Sequence, residues 1–251
     1  MMTAAIVPRH PAKFSAPIIA AAKDEMSSWL ATLDRSPVRV LDPFAGVGRC
    51  HLLADLPGVD TVGVELEPEW ATAHSRTIVG SALALPFDDD TFDALFTSPC
   101  YGNRMADHHD AKDQCRCCDG GGCGACDNSG LSKRHTYRHA LGRQLTAGSA
   151  AAMQWGTEYR VFHELAWREA LRVLRPGALL LVNVSNHIRS GVEQPVVEWH
   201  LTEFLRLGCR LRAAHRIGTR RNRQGANRDV RVDGELLLVM NASSNPNRRL
   251  L

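Results

Sequence analysis

Between positions 17 and 34 the apolar residues Ile18, Ile19, Ala22, Met26, Trp29, Leu30 and Leu33 recur at intervals of three and four, and Pro37 follows soon after. That period predicts a helix packed on a larger element. Short apolar runs then occur at Val38 to Leu41, Thr61 to Val64, Phe92 to Thr97 and Ala178 to Val184. Such runs, without polar alternation, read as strands buried on both faces. Tyr159 to Val173 carries an amphipathic helical pattern closed by Arg175-Pro176-Gly177. Strands and helices in alternation predict an α/β fold, an open and mostly parallel sheet flanked by helices. A last apolar run, Glu235 to Met240, is placed to pair with a strand near Leu211 to Ile217 across an Arg-rich loop.

The stretch from about Gly102 to Gly156 breaks this rhythm, being rich in Gly, Cys, His and Asp with no sustained apolar period. It reads as an insertion, and loops of that length inside a compact domain are usually functional or disordered. The 251 residues, 44% of them hydrophobic, suffice for one substantial core. No run approaches the roughly 18 apolar residues of a membrane span, and the opening MMTAAIVPRHPAKF has no apolar block before a cleavage site, so a cytoplasmic protein with no membrane partner is expected.

The formal charge is only +3, yet 26 of the 30 basic residues are Arg, and nine of them lie between Arg206 and Arg231 against the single acid Asp229. Guanidinium groups fork onto phosphate and stack on bases, so the cluster suits a polyanionic partner. An Arg excess also follows from genomic base composition alone. Five of the eight cysteines crowd into twelve residues, which favours a local metal site over a disulfide framework.

After the first strand, Asp42-Pro43-Phe44-Ala45-Gly46-Val47-Gly48 places small residues where the chain must turn sharply and approach a ligand with its backbone. About 20 residues on, Glu65 ends the next strand, where a carboxylate can accept hydrogen bonds from a ribose diol. A nicotinamide dehydrogenase would want a third glycine, and residues 46 to 51 read GVGRCH. DPFAGVG resembles motif I of class I methyltransferases, and VGVELEP resembles their motif II. The resemblance implies S-adenosylmethionine as cofactor, with Asp42, Phe44, Ala45, Gly46 and Gly48 around its amino-acid part and Glu65 on its ribose. It also sets Gly80-Ser81-Ala82-Leu83 against the adenine, although the family often has Asp or Asn where Ser81 stands. Upstream, His10-Pro11-Ala12-Lys13-Phe14-Ser15 resembles a motif that brings an aromatic ring and a hydroxyl, here Phe14 and Ser15, to the methionine end.

Thr97-Ser98-Pro99-Cys100-Tyr101-Gly102 stands at the end of a buried strand, where open α/β sheets place their chemistry. It resembles the (Asp/Asn/Ser)-Pro-Pro-aromatic motif of amino-methyltransferases, with Cys100 replacing the second proline. An exocyclic amine is a poor nucleophile because its lone pair is delocalised into the ring. The Ser98 hydroxyl and the Pro99 carbonyl are expected to accept its two hydrogens, and Tyr101 to stack on a flipped base. The resemblance thus implies methylation of N4 of cytosine or N6 of adenine, with DNA preferred over RNA. Three readings stay open beside it: an RNA base amine methyltransferase, a 5-cytosine enzyme using Cys100 as thiolate, and an inactive zinc-bearing nucleic-acid binder.

Cys115 to Gly122 fits CxxCxGxG, and Cys123 to Gly130 repeats it with Asn128 replacing a glycine. Each half resembles the zinc-binding repeat of DnaJ-type cochaperones. Cys115, Cys118, Cys123 and Cys126 are the expected ligands of a structural zinc, with Cys117 or His135 as substitutes. The chain is therefore divided into residues 1–101, a cofactor-binding half carrying the catalytic motif, residues 102–156, a zinc knuckle expected to help select or clamp nucleic acid, and residues 157–251, the rest of the domain.

Overall fold

The computed structural model describes residues 7–8, 10–11, 14–103, 112–115, 117–126, 128–133, 137–218, 232 and 234–243. Helix α1 (Ala16–Leu30) has Pro17 in its first turn, where a missing N–H costs no hydrogen bond. It stops before the apolar pattern does, because Leu33 donates to the Leu30 carbonyl in a turn while still packing on the core. Then follow β1 (Val38–Asp42), β2 (Val59–Glu65), the single turn α2 (Pro68–Ala71), β3 (Thr77–Val79) and β4 (Phe92–Thr97). Off the sheet lie β5 (Lys112–Gln114) and β6 (Leu131–Lys133), an antiparallel pair, and the short helix α3 (Tyr137–Leu141). The chain returns through α4 (Thr157–Val173) to β7 (Leu174–Val184), a hairpin of β8 (His187–Arg189) and β9 (Val192–Gln194), α5 (Val196–Arg206), β10 (Arg210–Ile217) and β11 (Glu235–Asn241).

The seven-stranded sheet runs β10-β11-β7-β4-β1-β2-β3. Five strands are parallel, and β11 and β10 close one edge antiparallel. Arg175-Pro176-Gly177, expected as a turn, lies inside β7. Pairing with β4 passes from Phe92↔Leu174 to Ala94↔Leu179, a bulge that leaves Pro176 out of the ladder it could not donate to.

Alternate residues of β7 serve opposite layers. Leu180, Val182 and Val184 share a core with Trp167 of α4 and Phe204 of α5, whereas Leu179 and Leu181 share one with Ile18, Met26 and Trp29 of α1. Burying each such side chain contributes about 1.5–3 kcal/mol, so the two layers hold the strand ends in fixed register. β1 and β4 are neighbours, with β2 and β3 on one side and β7 on the other. Strand order reverses between them, which opens a crevice at their carboxyl ends. Among the described residues, no helix is long and apolar enough to cross a membrane.

Candidate active site

Both loops that leave the crevice, residues 42–48 after β1 and 98–101 after β4, border one cavity of about 510 Å³. Gly46 and Gly48 have φ of 53° and 76°, the left-handed region that favours glycine. A Cβ on Gly48 would lie 2.7 Å from the His51 ring and 2.9 Å from His74, so the turn also has no room for one.

Two acids brace this turn. The Gly46 N–H donates to Glu65 Oε2 at 2.8 Å, and the Glu67 N–H donates to Oε1 at 2.9 Å. Burial pushes the Glu65 carboxyl up to about 7 against the pull of these donors. Asp42 lies behind the turn, where Oδ1 accepts from the Phe44 N–H at 3.0 Å and the Thr97 hydroxyl at 2.7 Å. Burial pushes its carboxyl up to about 6, and Oδ2 is buried without a partner.

Phe44, Ala45, Gly46, Glu65, Ser81 and Ala82 border the cavity, as does Phe14, which stacks on Phe96 with centroids 4.3 Å apart. Asp42, Gly48 and Ser15 do not reach it. Asp42 and Gly48 shape the turn from behind, and Ser15 precedes α1 with its hydroxyl buried and unpartnered. Leu83 points outward.

Ser98, Pro99, Cys100 and Tyr101 line the same cavity together with Asn183 of β7 and Glu235 of β11. Tyr101 Oη donates to Glu235 Oε2 at 3.0 Å. With that proton committed, the 2.8 Å contact between Ser98 Oγ and Tyr101 Oη is donated by the serine. Asn183 Nδ2 reaches three acceptors: Glu235 Oε2 at 2.5 Å, Tyr101 Oη at 2.9 Å and Ser98 Oγ at 3.3 Å. Its Oδ1 is buried and unpartnered, a condition costing about 1–3 kcal/mol.

A second chain of hydrogen bonds fixes the loop from below. Trp167 Nε1–H donates to His200 Nδ1 at 3.0 Å, which leaves the proton of the neutral imidazole on Nε2. Nε2 donates to Tyr159 Oη at 2.8 Å, and Tyr159 donates to the Cys100 carbonyl at 2.6 Å. Burial holds His200 well below its ordinary value, so the imidazole stays neutral. The Cys100 thiol is pushed up to about 12 by burial and bonds with the buried Tyr137 hydroxyl.

Residues at both ends of the stretch 137–151 also line the cavity. Glu67, 1% exposed, accepts from Arg143 Nη2 at 2.7 Å and from the Thr146 N–H and hydroxyl, each at 2.9 Å. Arg143 also bonds Glu69 through Nε at 2.7 Å. Tyr137, Gly148, Ser149 and Ala150 border the cavity.

The four cysteines Cys115, Cys118, Cys123 and Cys126 hold their sulfurs within 4.8 Å of one another. Three of the separations are 3.9, 3.8 and 3.8 Å. Thiolates about 2.3 Å from a central tetrahedral ion would be about 3.8 Å apart, so this donor set fits zinc. The Gly122 N–H donates to Cys118 Sγ at 3.1 Å, orienting it. Cys117 is exposed and outside the cluster, and His135 lies outside the described residues, as do Arg220, Arg221, Arg223, Arg228 and Arg231 of the arginine cluster. Arg206 is held by Glu203 and Glu164 rather than standing free for phosphate.

Asn183, Glu235, Tyr137, Glu67 and Arg143 were not foreseen. Asn183 is a polar residue inside an apolar strand and Glu235 opens another, which was the available signal.

No protein-family model matches the sequence, and no curated protein matches it. Solved structures match its fold. One is a S-adenosylmethionine-dependent methyltransferase from Methanosarcina mazei, with TM-score 0.51 and 9% identity over 86% of this chain and 98% of that one. Another is a putative sarcosine dimethylglycine methyltransferase from Galdieria sulphuraria, with TM-score 0.50 and 10% identity over 94% and 92%. The fold is that of the class I S-adenosylmethionine-dependent methyltransferases.

Proposed function

We propose that this protein transfers a methyl group from S-adenosylmethionine to an exocyclic amine of a nucleic-acid base, N4 of cytosine or N6 of adenine, in DNA. The observation that carries the reading is one cavity bordered both by the glycine turn and by Ser98-Pro99. Its size falls within the roughly 300–1,000 Å³ of small-molecule sites. Glu65 fits a ribose, because each of its oxygens keeps a lone pair after taking one backbone N–H. Bound there, the cofactor supplies an electrophilic methyl on a sulfonium.

The protein's own part is positioning. Ser98 Oγ and the Pro99 carbonyl accept the two amine hydrogens, turning the nitrogen lone pair out of the ring and along the transfer axis. Proline offers no competing N–H. Tyr101, its hydroxyl anchored on Glu235, presents a ring for the extruded base to stack on. A thiol pushed up to about 12 is protonated at neutral pH, which speaks against Cys100 as a nucleophile on carbon 5 of cytosine. The cysteine cluster is read as a structural zinc site beside the acceptor end, where the insertion helps to clamp nucleic acid.

The test is expression in a host free of DNA methylation, followed by single-molecule sequencing of its genome. Modified cytosine N4 or adenine N6 in a fixed sequence context is expected, and unmodified DNA from a folded, cofactor-binding protein sinks the DNA reading. Elemental analysis is expected to find one zinc per chain, lost in Cys118→Ser.

A further inference from the structure

A serine that takes a proton from a substrate must give up its own, since its hydroxyl has no appreciable basicity at neutral pH. Methyl transfer creates that demand. The amine lone pair forms the N–C bond while the C–S bond breaks, its electrons staying on sulfur, and the product nitrogen is left cationic with one proton too many. A carboxylate at position 98 would take that proton itself. Ser98 needs an acceptor behind it.

We infer that Glu235 is that acceptor, reached through a two-step relay from Ser98 to Tyr101 to the carboxylate. The inference rests on the amine-methylation reading of the same cavity. The hydrogen bonds already point the required way: Ser98 donates to Tyr101 Oη over 2.8 Å, and Tyr101 donates to Glu235 Oε2 over 3.0 Å. The amine proton passes to Ser98 Oγ, the serine proton to Tyr101 Oη and the tyrosine proton to Glu235, so each hydroxyl ends with one proton as it began. The balance is a neutral N-methylated base, a thioether and a protonated carboxyl that returns its proton to water at the cavity. Asn183 holds the line together, since its amide nitrogen, with two protons to give, lies within hydrogen-bond reach of all three acceptors. Glu235 acts through its neighbours and is a positioning residue in this scheme, not a contact to the base.

The experiment compares single-turnover transfer of tritiated methyl from S-adenosylmethionine to unmethylated plasmid DNA, and to total RNA, by wild type and by Glu235→Gln, Tyr101→Phe and Ser98→Asp/Glu235→Gln. Cofactor affinity is measured beside each rate. Glu235→Gln and Tyr101→Phe are each expected to slow transfer about 100-fold, the usual scale of a lost general base, with cofactor affinity within threefold of wild type. Ser98→Asp/Glu235→Gln places a carboxylate next to the amine and is expected to recover at least tenfold over Glu235→Gln. Ser98→Asp alone sets two like charges together and is expected to be slower than the double variant. A merely structural Glu235 gives no such recovery. If Glu235→Gln does not fold, Tyr101→Phe, which removes only the bridging hydroxyl, decides on its rate. Active wild type with an undiminished Tyr101→Phe or Glu235→Gln rate, or a double variant no faster than Glu235→Gln, overturns the relay alone. Wild type that methylates neither nucleic acid overturns the amine-methylation reading and the relay with it.

Discussion

The two motifs that line the cavity are built differently. At the glycine turn backbone faces the cavity, held in place by the carboxylates of Asp42 and Glu65 from the ends of two adjacent strands, and Glu65 is the one of the two that also faces the cavity. At the Ser98 motif the groups that face it are side chains from the loop after β4 and from β7 and β11, joined to one another by hydrogen bonds. The first motif, a backbone turn with Glu65 beside it, should control affinity, and the second, a hydrogen-bonded cluster of side chains, should control rate.

The sharpest break between them is Ser98→Ala. It is expected to lower the single-turnover rate about 10²–10³-fold, the loss typical of one removed transition-state hydrogen bond, with calorimetric cofactor affinity unchanged. Glu65→Gln should do the reverse. Loss of charge-assisted bonds worth about 1.5–3 kcal/mol predicts a cofactor Kd raised about 10- to 100-fold, while the rate at saturation holds. An equal fall in rate and affinity for either variant would dissolve the distinction.

Acidity sharpens it further. Glu65 in the free protein is pushed up to about 7, and ribose hydroxyls donating to the carboxylate favour its ionised form. Cofactor affinity should therefore weaken by up to about tenfold per pH unit below 7. Stability of the free fold runs the other way. A carboxyl raised from its ordinary 4.5 to about 7 is most favourable to the fold below 4.5, and that contribution is lost as pH rises through 7. Parallel titrations of Kd and melting temperature check both signs.

Smaller effects belong to the supports. Tyr159→Phe unhooks the Cys100 carbonyl and strands His200 Nε2–H in the core, and about 1–2 kcal/mol of lost stability should lower the melting temperature by a few degrees. Arg143→Ala, which releases the wall from Glu67, should raise the cofactor Kd only about threefold, since Thr146 still bonds the carboxylate.

The same contrast decides what could be read from the chain. The turn from Asp42 to Gly48 and Glu65 are local signals, each fixed by its own strand end, and the strand ending in Ser98-Pro99 announces itself in the same way. Asn183 and Glu235 meet Ser98 only after the sheet has brought together strands 85 and 137 residues further along. No spacing rule connects them. Helix α5 was missed because its apolar residues start directly after a proline in a stretch without a preceding strand signal, and β7 was begun too late because Pro176 reads as a breaker while the bulge spares it a ladder partner. The insertion's Arg143 and Thr146 look like ordinary surface residues until Glu67, itself unremarkable in the sequence, is found buried beneath them.

That buried acid limits how this protein can be shortened or recombined. Cutting out residues 102–156 to make a minimal catalyst would strip three donors from Glu67 and uncover, beside the cavity, a side chain that the intact fold keeps 1% exposed. A trimmed version needs something else to close that wall of the cavity, and a graft of this insertion onto another scaffold must bring an acid for Arg143 and Thr146 to hold.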